Sequence, residues 1–251
     1  MQSLSHWLKG PSGRPNFCFV VANISNKKKI MGAQHKLMSS ISDKRRILEI
    51  LAVVITGVGK FIFMDWLNWK LLFILVAICA WTSYIAVRHH QNKEILRYWG
   101  FRTDNLKTVM VKVLPFGVLS VLTFFVLGYV QSTIHLSWHM LPILIIYPIW
   151  GTLQQFLLIG LVAGNCQDLR KYALPKWGIL IVSALLFAGV HYPHYWLVIA
   201  TFLLALFYGS IYLQARNVFV LGLFHGWLGG LFFYTVVNRD PFLEVFGKLL
   251  Y

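Results

Sequence analysis

The chain has 251 residues, of which 58% are hydrophobic and only 12% charged, yet 23 Lys and Arg against eight Asp and Glu give it a formal net charge of +15. Soluble domains average roughly 45–50% apolar and about 25% charged residues, so this composition excludes an ordinary soluble domain and indicates a polytopic membrane protein. The basic residues lie in connections between apolar segments rather than on one face, which argues against nucleic acid and for anionic membrane lipids as their partners.

Residues 1–46 read as a basic, mobile cytoplasmic tail. Its apolar stretch from Phe17 to Ala22 is too short to span a bilayer, no signal-peptide pattern is present, and the strongly basic Lys27, Lys28 and Lys29 lie a few residues on; Met31 or Met38 is an alternative start. Apolar runs then predict spans near 47–64, 71–87, 113–130, 140–163, 177–191, 195–214 and 218–237. The expected fold is an all-α transmembrane bundle of about seven spans, with eight as the alternative. It divides into an N-terminal group over 47–130, a core over 131–240 and a C-terminal tail over 241–251. The fifth span is the short one: about fifteen residues rise only about 22 Å before Tyr192-Pro193-His194, so a break inside the membrane is expected there. In the 88–112 connection, Trp99 and Phe101 are expected to enter the headgroup layer while Arg97 and Arg102 face phosphates.

Basic residues orient the bundle. Nine precede the first span, six lie in 88–112, three in 165–176 and one at Arg216, whereas the other side has Lys60, Lys70, Arg239 and Lys248. The positive-inside rule then places the N-terminus in the cytoplasm and the C-terminus outside, in a plasma membrane. Cys18, Cys79 and Cys166 form no CxxC pair and read as apolar filler.

Three polar points interrupt the apolar runs. Gln154 and Gln155 are adjacent within 141–163, and His191 and His225 stand in the settings Phe187-Ala188-Gly189-Val190-His191 and Gly222-Leu223-Phe224-His225-Gly226. Burying two amides in hydrocarbon costs several kcal/mol unless they find partners, so these residues are expected to line one intramembrane cavity. A lone histidine in an apolar helix is more often an interhelical hydrogen bonder than a ligand; two histidines with a glutamine on a third helix raise the functional reading. The glycines at 222, 226, 229 and 230 are explained by close helix packing, and Tyr147-Pro148 by a kink.

Gln154-Gln155-Phe156-Leu157-Leu158-Ile159-Gly160, Phe187 to His191 and His225-Gly226-Trp227-Leu228-Gly229 together resemble the EExxxRG, FxxxH and HxxxN motifs of the CPBP family, the CAAX-protease and bacteriocin-processing (Abi) family. The resemblance covers about 140–237 and implies an intramembrane metalloendopeptidase fold acting on membrane peptides or prenylated CAAX-type proteins. Phe187, His191, His225 and Gly160 match; Gln154, Gln155, Ile159 and Gly229 replace both glutamates, the arginine and the asparagine. In such an enzyme a glutamate activates water and histidines position it or bind zinc or another divalent metal. Glutamine cannot accept that proton. His191 and His225 alone would make a weak metal site. The resemblance with its departures therefore implies a pseudoprotease that binds a membrane peptide or partner. The alternatives are an active metal-dependent endopeptidase with an altered site and, third, a small-solute or metal transporter.

Overall fold

The computed structural model describes residues 41–250, so the expected tail and its alternative starts lie almost wholly outside the described residues. Among the described residues every regular element is helical. α1 (Asp43–Lys60) continues as a π-helical segment, Phe61–Trp66; α2 spans Lys70–Gln91, α3 Ile95–Trp99 and α4 Leu106–Gln131. α5 (Met140–Gln155) continues as π-helical Phe156–Ala163 and then Gly164–Asp168; α6 spans Lys176–Gly189, α7 Tyr195–Ala215, α8 Val218–Phe232 with a π-helical end at Phe233–Val237, and α9 Pro241–Leu250. Six of these, counted with their continuations, are long and apolar enough to cross a membrane. The seventh apolar helix, α6, has only 14 residues and rises about 21 Å.

Two boundaries differ from expectation for capping reasons. α1 begins at Asp43 rather than 47, because the Ser42 hydroxyl accepts from the Arg45 amide and Asp43 places a carboxylate in the first turn. Of residues 241–251, expected as a tail, Pro241–Leu250 form α9. Asp240 accepts from the amides of Phe242 and Leu243, and Pro241 occupies the first helical position.

Successive helices alternate between a basic end and a mouth end. The start of α1, the 92–105 connection, the 169–175 loop and the α7–α8 turn meet at the first; the α1–α2 turn, the 190–194 turn and α9 meet at the second. α8 is the central helix. Its most apolar stretch is 67% buried, against 11% for α1 and α2, whose Ile55 and Val76 face outward as a lipid-embedded surface requires. α8 packs chiefly on α5, and α6 on α7.

The basic end is closed by charge buried inside the bundle. Glu49 of α1 accepts from Tyr84 (2.5 Å) and Asn165 (2.8 Å), with Arg88 at 4.0 Å. Asp168 accepts from Tyr98 and from Arg216 at 2.8 Å, and the Arg216 guanidinium lies 4.8 Å from the Tyr98 ring centroid. Proximity to the Asp168 carboxylate pushes the Tyr98 phenol up in the same sense as its burial, the larger cause. Trp99 and Phe101 correct the interfacial expectation: their rings pack 5.1 and 5.2 Å from that of Phe156, and Trp99 is fully buried. Arg97 and Arg102 both pair with Asp104. Gly100, at φ +91°, permits the fold-back, because a Cβ there would lie 2.9 Å from the Arg216 carbonyl carbon and oxygen.

Candidate functional site

The site begins with a helix crossing made of glycine. Gly151 and Gly226 approach so closely that a Cβ on Gly151 would lie 2.8 Å from the Gly226 nitrogen, and one on Gly226 would lie 2.4 Å from the Pro148 nitrogen. A Cβ on Gly222 would meet Thr152 at 2.3 Å. Backbone-to-backbone approach of this kind brings short-range polar groups on α5 and α8 into direct contact. His225 Nε2 accordingly donates to Gln154 Oε1 at 2.8 Å.

α6 supplies the third wall. It ends at Gly189, and the turn after it, with a cis Tyr192–Pro193 bond, carries His191. His191 Nδ1 donates to the Phe187 carbonyl at 2.7 Å, leaving Nε2 as an acceptor. Phe187 is fully buried and spaces the two imidazoles, its ring centroid 5.2 Å from that of His191 and 5.3 Å from that of His225.

Gln154, His191 and His225 face a cavity of about 1070 Å³ between the α1–α2 hairpin and the α4, α5, α7 and α8 faces. Gly229 also lines it, and a Cβ there would meet nothing within 4 Å, so that position adds open volume. Gly229 is thus not a packing glycine, unlike Gly222 and Gly226.

Gln155 and Ile159 do not join the site. Both are fully buried and neither lines the cavity; the Ile159 side chain comes within 3.9 Å of where a Cβ on Gly209 of α7 would be. The two amide atoms of Gln155 have no hydrogen-bond partner. Adjacent helical residues point about 100° apart, so a pair at 154 and 155 cannot both address one cavity wall.

The charged groups around the cavity gather at its mouth. Lys60 pairs with Asp65 at 2.6 Å and donates to the Tyr192 carbonyl at 3.2 Å. Arg239 holds Glu244 through two 2.5 Å bonds, and Lys70 reaches the same carboxylate at 3.4 Å. His194 Nε2 accepts from Arg239 at 2.7 Å, which occupies its lone pair and removes it as a ligand for the deeper histidines. Burial first, then the charges of Arg239 and Lys60, lower its pKa. No carboxylate lines the deep part of the cavity, and no group of three or more His, Cys, Asp or Glu suited to a metal occurs among the described residues.

Sequence reasoning missed the clamp at the basic end. Glu49 lies seven residues into an apolar helix, and an intramembrane carboxylate of that kind was the available signal. A scan against protein-family models finds no match for the chain, and searches of the curated proteins and of the solved structures find none either.

Proposed function

We propose that this chain is a CPBP-like integral membrane pseudoprotease: a bundle that keeps an intramembrane binding cavity and binds a membrane-embedded peptide segment in it without cleaving it. The observation that carries the reading is the composition of the deep site. Three helices converge on it with one amide and two imidazoles and no carboxylate, and the Gln154 oxygen engages His225. Hydrolysis requires a group that takes a proton from water as it attacks, and general-base help is typically worth about 10²–10⁴-fold. Glutamine gives none of it, which leaves the His191 Nε2 lone pair as a proton acceptor in the deep site. What the site does offer is hydrogen bonding to a peptide backbone: the Gln154 NH₂ can donate to a carbonyl, and the His191 Nε2 acceptor can take an amide N–H. The largely apolar walls match the side chains of such a segment, and about 1070 Å³ lies just above the range of about 300–1,000 Å³ typical of ligand pockets.

The distribution of Lys and Arg supports a cytoplasmic basic end and a mouth on the opposite face, and the plasma membrane is the location this reading assigns. Tags at the N-terminus and in 92–105 are then expected to report cytoplasm and a C-terminal tag the opposite side.

The binding reading is tested with the full chain in lipid nanodiscs and a panel of fluorescent apolar transmembrane peptides. Saturable binding is expected, weakened by Gly229→Trp, which fills the open volume, with every peptide recovered intact by mass spectrometry. Cleavage by the unaltered protein that disappears in His191→Ala or His225→Ala, with a pH limb near the ordinary imidazole value of about 6.5, would overturn it in favour of an active peptidase.

A further inference from the structure

The α1–α2 hairpin is fixed very differently at its two ends. At the basic end both of its helices are tied into the bundle: α1 through the buried Glu49, which accepts from Asn165 of the α5 continuation, and α2 through Trp81 and Tyr84, whose rings pack on those of Phe156 and Trp99 while Tyr84 and Arg88 meet the Glu49 carboxylate within the hairpin. At the mouth end the polar ties are half-exposed and few, and α1 otherwise meets the 190–194 turn where a Cβ on Gly57 would lie 2.9 Å from Val190. Lys70 at the start of α2 reaches Glu244 of α9 at 3.4 Å, and Lys60 reaches the Tyr192 carbonyl at 3.2 Å. Between these ends the hairpin does not close on α4. Ile74 and Ile78 of α2 and Leu119 and Thr123 of α4 line the cavity that separates them.

α9 joins the mouth end of the hairpin to α5. It packs on both α2 and α5, and Pro241, Glu244, Val245 and Phe246 line the cavity beside the mouth. Its root is firmly anchored on the α5 and α8 side: Asp240 accepts from His139 at 2.6 Å and from Tyr234 at 2.9 Å while capping α9, and Phe242 stacks on the His139 ring with centroids 4.8 Å apart. Glu244 one turn further on is held by Arg239 on the same side and reaches across to Lys70 on the other. The carboxylate is therefore the point at which a fixed element touches a weakly held one.

We propose that α9 is the latch of a lateral gate: the α1–α2 hairpin pivots about the buried clamp at its basic end, and release of Lys70 from Glu244 lets its mouth end swing away from α9 and α5 and widen the opening between α2 and α4 toward the bilayer. That a peptide segment is what enters rests on the proposed peptide binding; the gate itself is a property of the unliganded chain. A deep site reached sideways takes its ligand from within the membrane, without carrying apolar side chains through the charged mouth.

The experiment reads distances in the ligand-free full chain, with Cys18, Cys79 and Cys166 replaced by serine or alanine. One spin-label pair joins Leu72 of α2 to Leu141 of α5 across the mouth end, both of which are exposed. A second pair joins Ile47 of α1 to Tyr172 in the 169–175 loop at the basic end. Lys70→Gln removes the hairpin's half of the latch and leaves the Arg239–Glu244 pair and the α9 anchor in place, and Glu244→Gln removes the other half. The expected result is a shift of the mouth pair to longer distances in both variants, with the basic-end pair unchanged. An unchanged mouth pair in Lys70→Gln, or equal movement at both ends, would overturn the gate. Because no ligand is used, a failure to bind peptide leaves this result standing, and a rigid hairpin leaves the binding reading standing.

Discussion

Replacing Gly226 with alanine should separate α5 from α8 and disconnect the polar site. The added Cβ would lie 2.4 Å from the Pro148 nitrogen and 2.5 Å from both the Pro148 Cα and the Tyr147 carbonyl carbon, all backbone atoms that cannot rotate aside. Restoring an ordinary 3.4 Å contact requires the helices to part by about 1 Å. The same movement stretches the 2.8 Å bond between His225 and Gln154 to roughly 3.8 Å, beyond hydrogen-bonding range. Overpacking costs about 1–3 kcal/mol and the lost hydrogen bond about 0.5–1.5, so Gly226→Ala should destabilise the bundle by about 2–4 kcal/mol. Gly229→Ala, three residues along the same helix, is the matched comparison. Its Cβ enters open space, so it should be neutral or gain about 0.5–1 kcal/mol from the lower flexibility of the unfolded chain. Equilibrium unfolding in mixed micelles with denaturing detergent measures both. Equal stability of the two variants, or damage from Gly229→Ala as large as from Gly226→Ala, would refute the close-packed crossing and with it the placement of Gln154 against His225.

Elemental analysis after chelator-free purification should find well under one zinc per chain, since His191 and His225 fall short of the three protein ligands of a catalytic site; one tightly held metal lost in His191→Ala would revive the metallopeptidase reading. Asp168→Ala should cost about 3–5 kcal/mol in the same unfolding assay, because it strips the buried carboxylate from Arg216 inside the clamp, whereas Asp104→Ala, which removes an exposed carboxylate, should cost no more than about 1 kcal/mol; equal costs would count against a buried clamp. Acid should release α9. Burial alone would raise the Glu244 and Asp240 carboxyls, but the Arg239 bonds on one and the His139 and Tyr234 bonds on the other outweigh it and hold both below their ordinary values. A carboxyl lowered in the folded state stabilises fully above its unfolded pKa, about 4, and that stabilisation is lost as pH falls through the folded value. Protease susceptibility at α9 should therefore stay constant from pH 7 to 5 and rise below about 4; a rise already complete at pH 5 would contradict the assignment.

The spans were legible because membrane helices announce themselves as uninterrupted apolar runs, and the same property made Gln154, His191 and His225 stand out. Residues 155 and 159 were misplaced because a motif written along the chain ignores rotation: Gln155 lies about 100° round the helix from Gln154, and the wider turn of the π-helical segment from Phe156 re-aims the side chains beyond it. The clamp at the basic end was hidden for a different reason. Glu49 and Asn165 are 116 positions apart and Tyr98 and Asp168 are 70 apart, so no local pattern joins them. Trp99 has the composition of an interfacial anchor, and only its burial beside Phe156 shows that the connection folds inward.

The placement of charge explains why the deep site can be stable without any. Glu49 and Asp168 are matched by Arg88 and Arg216 at one end, and Asp65 and Glu244 by Lys60, Lys70 and Arg239 at the other. The walls between are apolar. A carboxylate at position 154 would sit deep in this gap with His225 as its neighbour, and a cation at position 159 would point toward α7, where Ile159 now packs near Gly209, and could not reach it. An ionised group in the membrane interior is tolerated when paired or hydrated. The nearest permanent cation, Lys60, is engaged by Asp65 at the mouth, and His225 would partner a carboxylate only by taking up a proton, so glutamine at 154 keeps the hydrogen bond to His225 without placing charge at that depth.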